Sequence, residues 1–180
     1  MRIVKEDTIA LVIDVQEKLF PHIFESEKLE RNLNILVEGL KLLHVPIIVS
    51  EQYKKGLGET IPSLKELIQD YPHTEKTAFS CCDEPIIQEK IELSGKRNII
   101  LAGIESHVCL LQTAIDLKER GFNPIVVADC ISSRTIENKQ LALVRYQQEG
   151  VIVTSYESIL FELCRYAQGD AFKAISKLVK

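Results

Sequence analysis

Five short runs along the chain are almost wholly apolar: Thr8–Asp14, Pro46–Ser50, Asn98–Gly103, Pro124–Asp129 and Val151–Thr154. None alternates with period two, so each reads as a strand covered on both faces. The segment around Thr74–Phe79 is a sixth and weaker candidate. Between these runs the period changes. In Lys28–His44 the residues Leu29, Leu33, Leu36, Val37, Leu40 and Leu43 fall on one helical face. Asp83-Glu84-Pro85 opens another helix, with proline near its first position and Gly95 just past its end. Further helices span Ser106–Arg120, Thr135–Glu149 and Ser155–Tyr166, stopping at Gly121, Gly150 and near Gly169, and Asp170–Lys180 forms a short last one. Strand–helix–strand alternation calls for parallel strands joined by right-handed crossovers, hence an α/β three-layer sandwich. A single domain over residues 1–180 is expected from the length. In such sheets ligands bind beyond the carboxyl ends of the strands, where strand order reverses.

Composition narrows the function classes. With 46% hydrophobic and 27% charged residues the chain has the balance of a soluble globule. The apolar run Ile9–Ile13 falls far short of the ~20 residues of a membrane helix. Met1–Asp7 carries charges where an export signal would be apolar, so a cytoplasmic, membrane-free protein is expected. The 22 basic and 26 acidic residues give a net charge of −4 with no long block of either sign, which speaks against a nucleic-acid partner. Five irregularly spaced cysteines without a Cys-x-x-Cys read as reduced thiols, and the four scattered histidines form no zinc motif. No Gly-x-Gly-x-x-Gly follows the first strand, so no dinucleotide or other cofactor is expected.

The ligand edge directs attention to residues that follow strands. Asp14 ends the first run; an acidic turn residue or cap accounts for it as well as catalysis does. After Asn98–Gly103 comes Ile104-Glu105-Ser106-His107-Val108-Cys109, leading straight into a helix that Ser106 can cap. Cys109 then lies in the first turn, where free N–H groups and the helix dipole favour a thiolate and can hold an oxyanion. A small buried hydrophobe is the plain alternative. Lys76, in the weak third strand, alone reads as a solvated edge lysine. His107 lies two residues from Cys109 and points elsewhere on a helix, so it reads as a rim residue rather than a base.

Taken together, Ile13-Asp14-Val15-Gln16, Lys76-Thr77-Ala78-Phe79-Ser80 and Gly103-Ile104-Glu105-Ser106-His107-Val108-Cys109 resemble the isochorismatase-like cysteine hydrolase superfamily. The likeness continues through Val127–Arg134 and Tyr156–Leu160, and Glu51–Gly58 is most similar to the branch of isochorismatase domain-containing hydrolases. It implies a roughly six-stranded parallel sheet in Rossmann-like order and a catalytic Asp14–Lys76–Cys109 triad. It also implies a cis peptide at Ile104–Glu105, with the N–H groups of Glu105 and Cys109 as oxyanion donors. The implied reaction is hydrolysis of a C–N bond in a small amide-like substrate through a thioester-type intermediate, by a homo-oligomer. An enol-ether hydrolase of the isochorismatase type and a non-catalytic binding relative are the alternatives. Nicotinamidases of the superfamily bind a metal through histidines and an aspartate after the second strand. Ser50–Pro62 contains neither residue, so no metal is expected.

Overall fold

The computed structural model describes all 180 residues. Its strands are β1 Thr8–Ile13, β2 Ile47–Gln52, β3 His73–Lys76, β4 Asn98–Ile104, β5 Asn123–Ser132 and β6 Ile152–Thr154. The helices are α1 Ser26–Leu42, α2 Lys54–Leu57, α3 Pro62–Ile68, α4 Pro85–Leu93, α5 Leu111–Glu119, α6 Ile136–Gln148, α7 Tyr156–Cys164 and α8 Gly169–Leu178. All six strands are parallel and lie in the order β3-β2-β1-β4-β5-β6, so the order reverses between β1 and β4.

The lack of alternation in β1 has a direct cause: every residue of it is buried, on one side of the sheet or the other. Ala10 and Val12 join a core cluster of 28 residues that includes the inner faces of α1, α3, α7 and α8. Ile9, Leu11 and Ile13 join a second cluster of 19, with residues from α4, α5 and α6. Helix α1 turns Leu33, Leu36, Val37 and Leu40 fully inward. Burial of each such side chain contributes roughly 1.5–3 kcal/mol.

Register assembles the functional edge. Ile13 pairs with Ser50 on one side and Gly103 on the other, and Gln52 pairs with Lys76. The ends of β1, β2, β3 and β4 therefore meet at one rim. The structure departs from the sequence pattern in several places near that rim. Strand β2 continues through Glu51 and Gln52, because their backbones pair with Glu75 and Lys76 of β3. Strand β3 ends at Lys76, short of Phe79. Strand β5 runs on to Ser132 through an irregularity opposite Leu101–Gly103. The helix expected over Ser106–Arg120 is divided: its first five residues form a wide π turn and α5 begins only at Leu111. Helices α2 and α3 fill a stretch that carries no assignment from the pattern.

Candidate active site

Asp14 is the first residue beyond β1, with φ 55 and its N–H donating to the Ser50 carbonyl at 3.1 Å. That turn aims a 1%-exposed carboxylate into the rim. Lys76, the last residue of β3, is equally buried, and its Nζ lies 2.7 Å from Asp14 Oδ2. Lys76 is therefore no solvated edge lysine. Removing both charges from water is costly, and a polar shell offsets it. The ammonium also donates to Gln52 Oε1 at 2.6 Å and to the carbonyls of Ala78 and Phe79, both at 3.1 Å. Burial pulls the Lys76 ammonium down, but the negative charge of Asp14 and the neighbouring sulfurs outweigh it and the net shift is upward. The second carboxylate oxygen, Asp14 Oδ1, accepts from Ser50 Oγ at 2.7 Å.

Cys109 is buried at 7% exposure within the π turn, where the Leu110 N–H reaches back five residues to the Glu105 carbonyl at 3.3 Å. Burial pushes the Cys109 thiol well above its ordinary range, the Asp14 charge pushes it further, and Lys76 opposes them without prevailing. Where a helix N-terminus suggests a favoured thiolate, burial beside a carboxylate works in the opposite direction and shifts the Cys109 thiol upward. Ser106 does not cap the helix either; its hydroxyl is buried without a hydrogen-bond partner. Two side chains instead hold the turn. Tyr146 of α6 donates to the Ser106 carbonyl at 2.5 Å, and Thr113 of α5 donates to the Cys109 carbonyl at 2.7 Å.

The Ile104–Glu105 peptide bond is cis. The Glu105 N–H, outside helix and strand, pairs with no backbone carbonyl. The Glu105 carboxylate is held by Arg134, through its backbone N–H and Nε, both at 3.1 Å. His107 Nδ1 lies 2.9 Å from Ser133 Oγ, which ties it to the end of β5. Cys81, buried, sits 3.7 Å from Ser50 Oγ, and burial pushes its thiol up to about 11.

Ser50, Gln52, Cys81, Thr113 and Tyr146 are functional-site neighbours without a motif of their own. Gln16 is another: its side chain, fully buried, donates to the carbonyls of Gln52 at 3.0 Å and Gly58 at 2.7 Å and accepts from the Gln52 N–H at 2.7 Å. It pins the 52–60 loop to the end of β1. The residues of that loop do not fit a metal centre. The buried Glu51 carboxylate is taken up by Lys54 at 3.2 Å, by Thr60 N–H and hydroxyl at 2.9 Å, and by His73 at 3.2 Å. No cluster of three or more His, Cys, Asp or Glu side chains could hold an ion.

Residues 8–158 match the isochorismatase domain family. Isochorismatase domain-containing protein 2 of Danio rerio is 37% identical over 179 residues, covering 99% of this chain and 89% of its own. The secreted isochorismatase effector Isc1 of Phytophthora sojae is 35% identical, covering 99% and 87%. Among solved structures, the MAR1 ribonuclease of Caenorhabditis elegans superposes with a TM-score of 0.94 at 37% identity, covering 99% of this chain and 92% of that one.

Proposed function

This chain belongs to the isochorismatase family, and we propose that it is a cysteine hydrolase cleaving a C–N bond in a small, uncharged amide-like substrate. Asp14, Lys76 and Cys109 are the catalytic groups of this reading. The observation that carries it is the convergence of a buried 2.7 Å Asp14–Lys76 pair with the buried Cys109 thiol, close enough to feel the charge of both.

With burial and the Asp14 charge both favouring the protonated thiol, its proton leaves as the carbon–sulfur bond forms. Asp14 takes that proton while Cys109 Sγ adds to the carbonyl carbon. The carbonyl oxygen becomes an oxyanion held by the N–H groups of Glu105 and Cys109. The intermediate collapses as Asp14 passes the proton to the departing nitrogen, leaving a thioester. Asp14 then takes a proton from water, whose oxygen attacks the thioester and releases the acid and the thiol. Lys76 holds Asp14 aligned throughout. Neither a metal nor an organic cofactor enters this scheme, and the enzyme acts as a homo-oligomer.

An uncharged substrate follows from the spending of the one ammonium beside Asp14. Lys76 already serves four protein acceptors, so it offers little to a substrate carboxylate. That weighs against the enol-ether reading, whose substrate carries carboxylates. A nuclease reading, suggested by the name of the Caenorhabditis elegans protein, gains no support from a chain with a net charge of −4.

A screen of small amides and ureido compounds tests the proposal. Turnover should fall on the order of a thousandfold in Cys109→Ser. Iodoacetamide should modify Cys109 before Cys81, Cys82 and Cys130, and inactivate in proportion. The mapping belongs in a Cys164→Ser background, since Cys164 alone among the cysteines is partly exposed. Full activity in Cys109→Ala, or inactivation with Cys109 unmodified, would sink the cysteine-hydrolase reading.

A further inference from the structure

We infer that Ser50 is a positioning residue for the general base, its hydroxyl locking the Asp14 carboxylate in the orientation that receives the Cys109 proton. The inference rests on the cysteine-hydrolase reading and assigns a role within the same site.

A carboxylate held at one oxygen can still pivot about its Cβ–Cγ bond. Lys76 holds only Oδ2, and its remaining hydrogen-bonding capacity goes to Gln52 Oε1 and to the Ala78 and Phe79 carbonyls. The other oxygen, Oδ1, accepts from Ser50 Oγ at 2.7 Å, and both residues are almost fully buried. A serine hydroxyl has one proton to give. Here Cys81 Sγ approaches Ser50 Oγ at 3.7 Å as a donor, so the serine proton is directed to Asp14. The backbone adds a second tie, for the Asp14 N–H donates to the Ser50 carbonyl at 3.1 Å. Register explains how a serine comes to be there. Ser50 pairs with Ile13, which places it beside the residue after the end of β1. It is the first polar residue after the apolar Ile47-Ile48-Val49, in a position buried at 2%. A buried hydroxyl at such a position is costly unless it is bonded. The carboxylate is its acceptor.

The test is the rate of Cys109 alkylation by iodoacetamide near neutral pH, in the Cys164→Ser background. Ser50→Ala should slow it about tenfold, the scale of a lost hydrogen bond to a charged group. Ser50→Thr, which keeps the hydroxyl, should restore it to within about twofold. The decisive arm is a double-mutant cycle with Asp14→Asn. If Ser50 acts through Asp14, adding Ser50→Ala to Asp14→Asn should change nothing. A merely structural role would slow alkylation equally in both backgrounds and overturn the inference, as would an unchanged rate in Ser50→Ala. Should Ser50→Ala fail to fold, the pair Ser50→Thr and Ser50→Val, alike in shape, carries the same comparison, and equal rates would again overturn it. If Asp14→Asn itself leaves alkylation unaffected or speeds it, the base assignment fails; if only Ser50→Ala leaves it unaffected, the base stands and the positioning role falls.

Discussion

At Gly103, φ is +123 and an added Cβ would lie 2.1 Å from the Ile13 carbonyl oxygen and 2.8 Å from its nitrogen. Neither obstacle can move, because both belong to the backbone of β1 at the point where Asp14 follows. Gly103→Ala should therefore force β1 and β4 apart at the functional rim. The expected cost is about 3 kcal/mol or more, read as a lower urea midpoint. The Lys76–Asp14 pair makes a second prediction at this scale. Lys76→Met leaves a buried carboxylate without its counter-charge, which should cost about 3–5 kcal/mol. Combining it with Asp14→Asn should recover part of that loss, since no net charge then remains buried. A double mutant no more stable than Lys76→Met would show that the ammonium matters for its other hydrogen bonds rather than for the carboxylate.

Between elements, hydrogen bonds join segments that the sheet alone leaves loose. Thr113 Oγ1 donates to the Cys109 carbonyl and accepts from the Cys81 N–H at 2.9 Å, so it couples the Cys109 turn to the segment after Lys76. Thr113→Val keeps the shape and removes both bonds; it should lower turnover several-fold with little loss of secondary structure by circular dichroism. The β2–α3 connection is held instead by Glu51. Burial pushes its carboxyl up, but the donors Thr60, His73 and Lys54 outweigh burial and hold it below its usual 4.5. A depressed folded-state value means stability present above about pH 4.5 and lost as pH falls below it. The urea midpoint should thus drop as pH falls from about 5 towards 3, and Glu51→Gln should flatten that drop. These ties also mark where the sequence pattern stops being informative. The strands of the core are plain in it because each sits under helices on both faces, and α1 because its leucines recur on one side. Lys76 and the ends of β2 lose the strand pattern because their polar side chains serve the rim, so Lys76 came forward only through family resemblance. Ser50, Gln16 and Thr113 act through partners 36, 42 and 32 positions away, and no local pattern announces such a distance. Helix α3 did leave a trace, a proline at its first turn and Leu64 four residues before Ile68.

Over the whole molecule, the rim is built from residues between Asp14 and Cys109, which come from both halves of the sheet. Its geometry can persist only while β1 remains paired with both β2 and β4. The two core clusters lie on opposite faces of that sheet and meet through it, since alternate residues of β1 enter each. Unfolding as a single cooperative unit is the expected outcome, and the cysteines supply internal reporters for both faces. Cys130 belongs to the cluster that includes α1, while Cys81 and Cys82 belong to the cluster on the other side. All three are at most 4% exposed. Burial occludes them in the native chain and pushes their thiols above the ordinary range. Pulsed alkylation across a urea series, mapped by mass spectrometry, should expose all three at one midpoint, and that midpoint should coincide with the loss of far-ultraviolet circular dichroism. Exposure of Cys81 and Cys82 at distinctly lower urea than Cys130 would mean that the α4–α5–α6 face opens as a separate unit. The chain would then be a sheet with one detachable layer, and the rim, which takes Cys109 from that layer, would be lost before the fold.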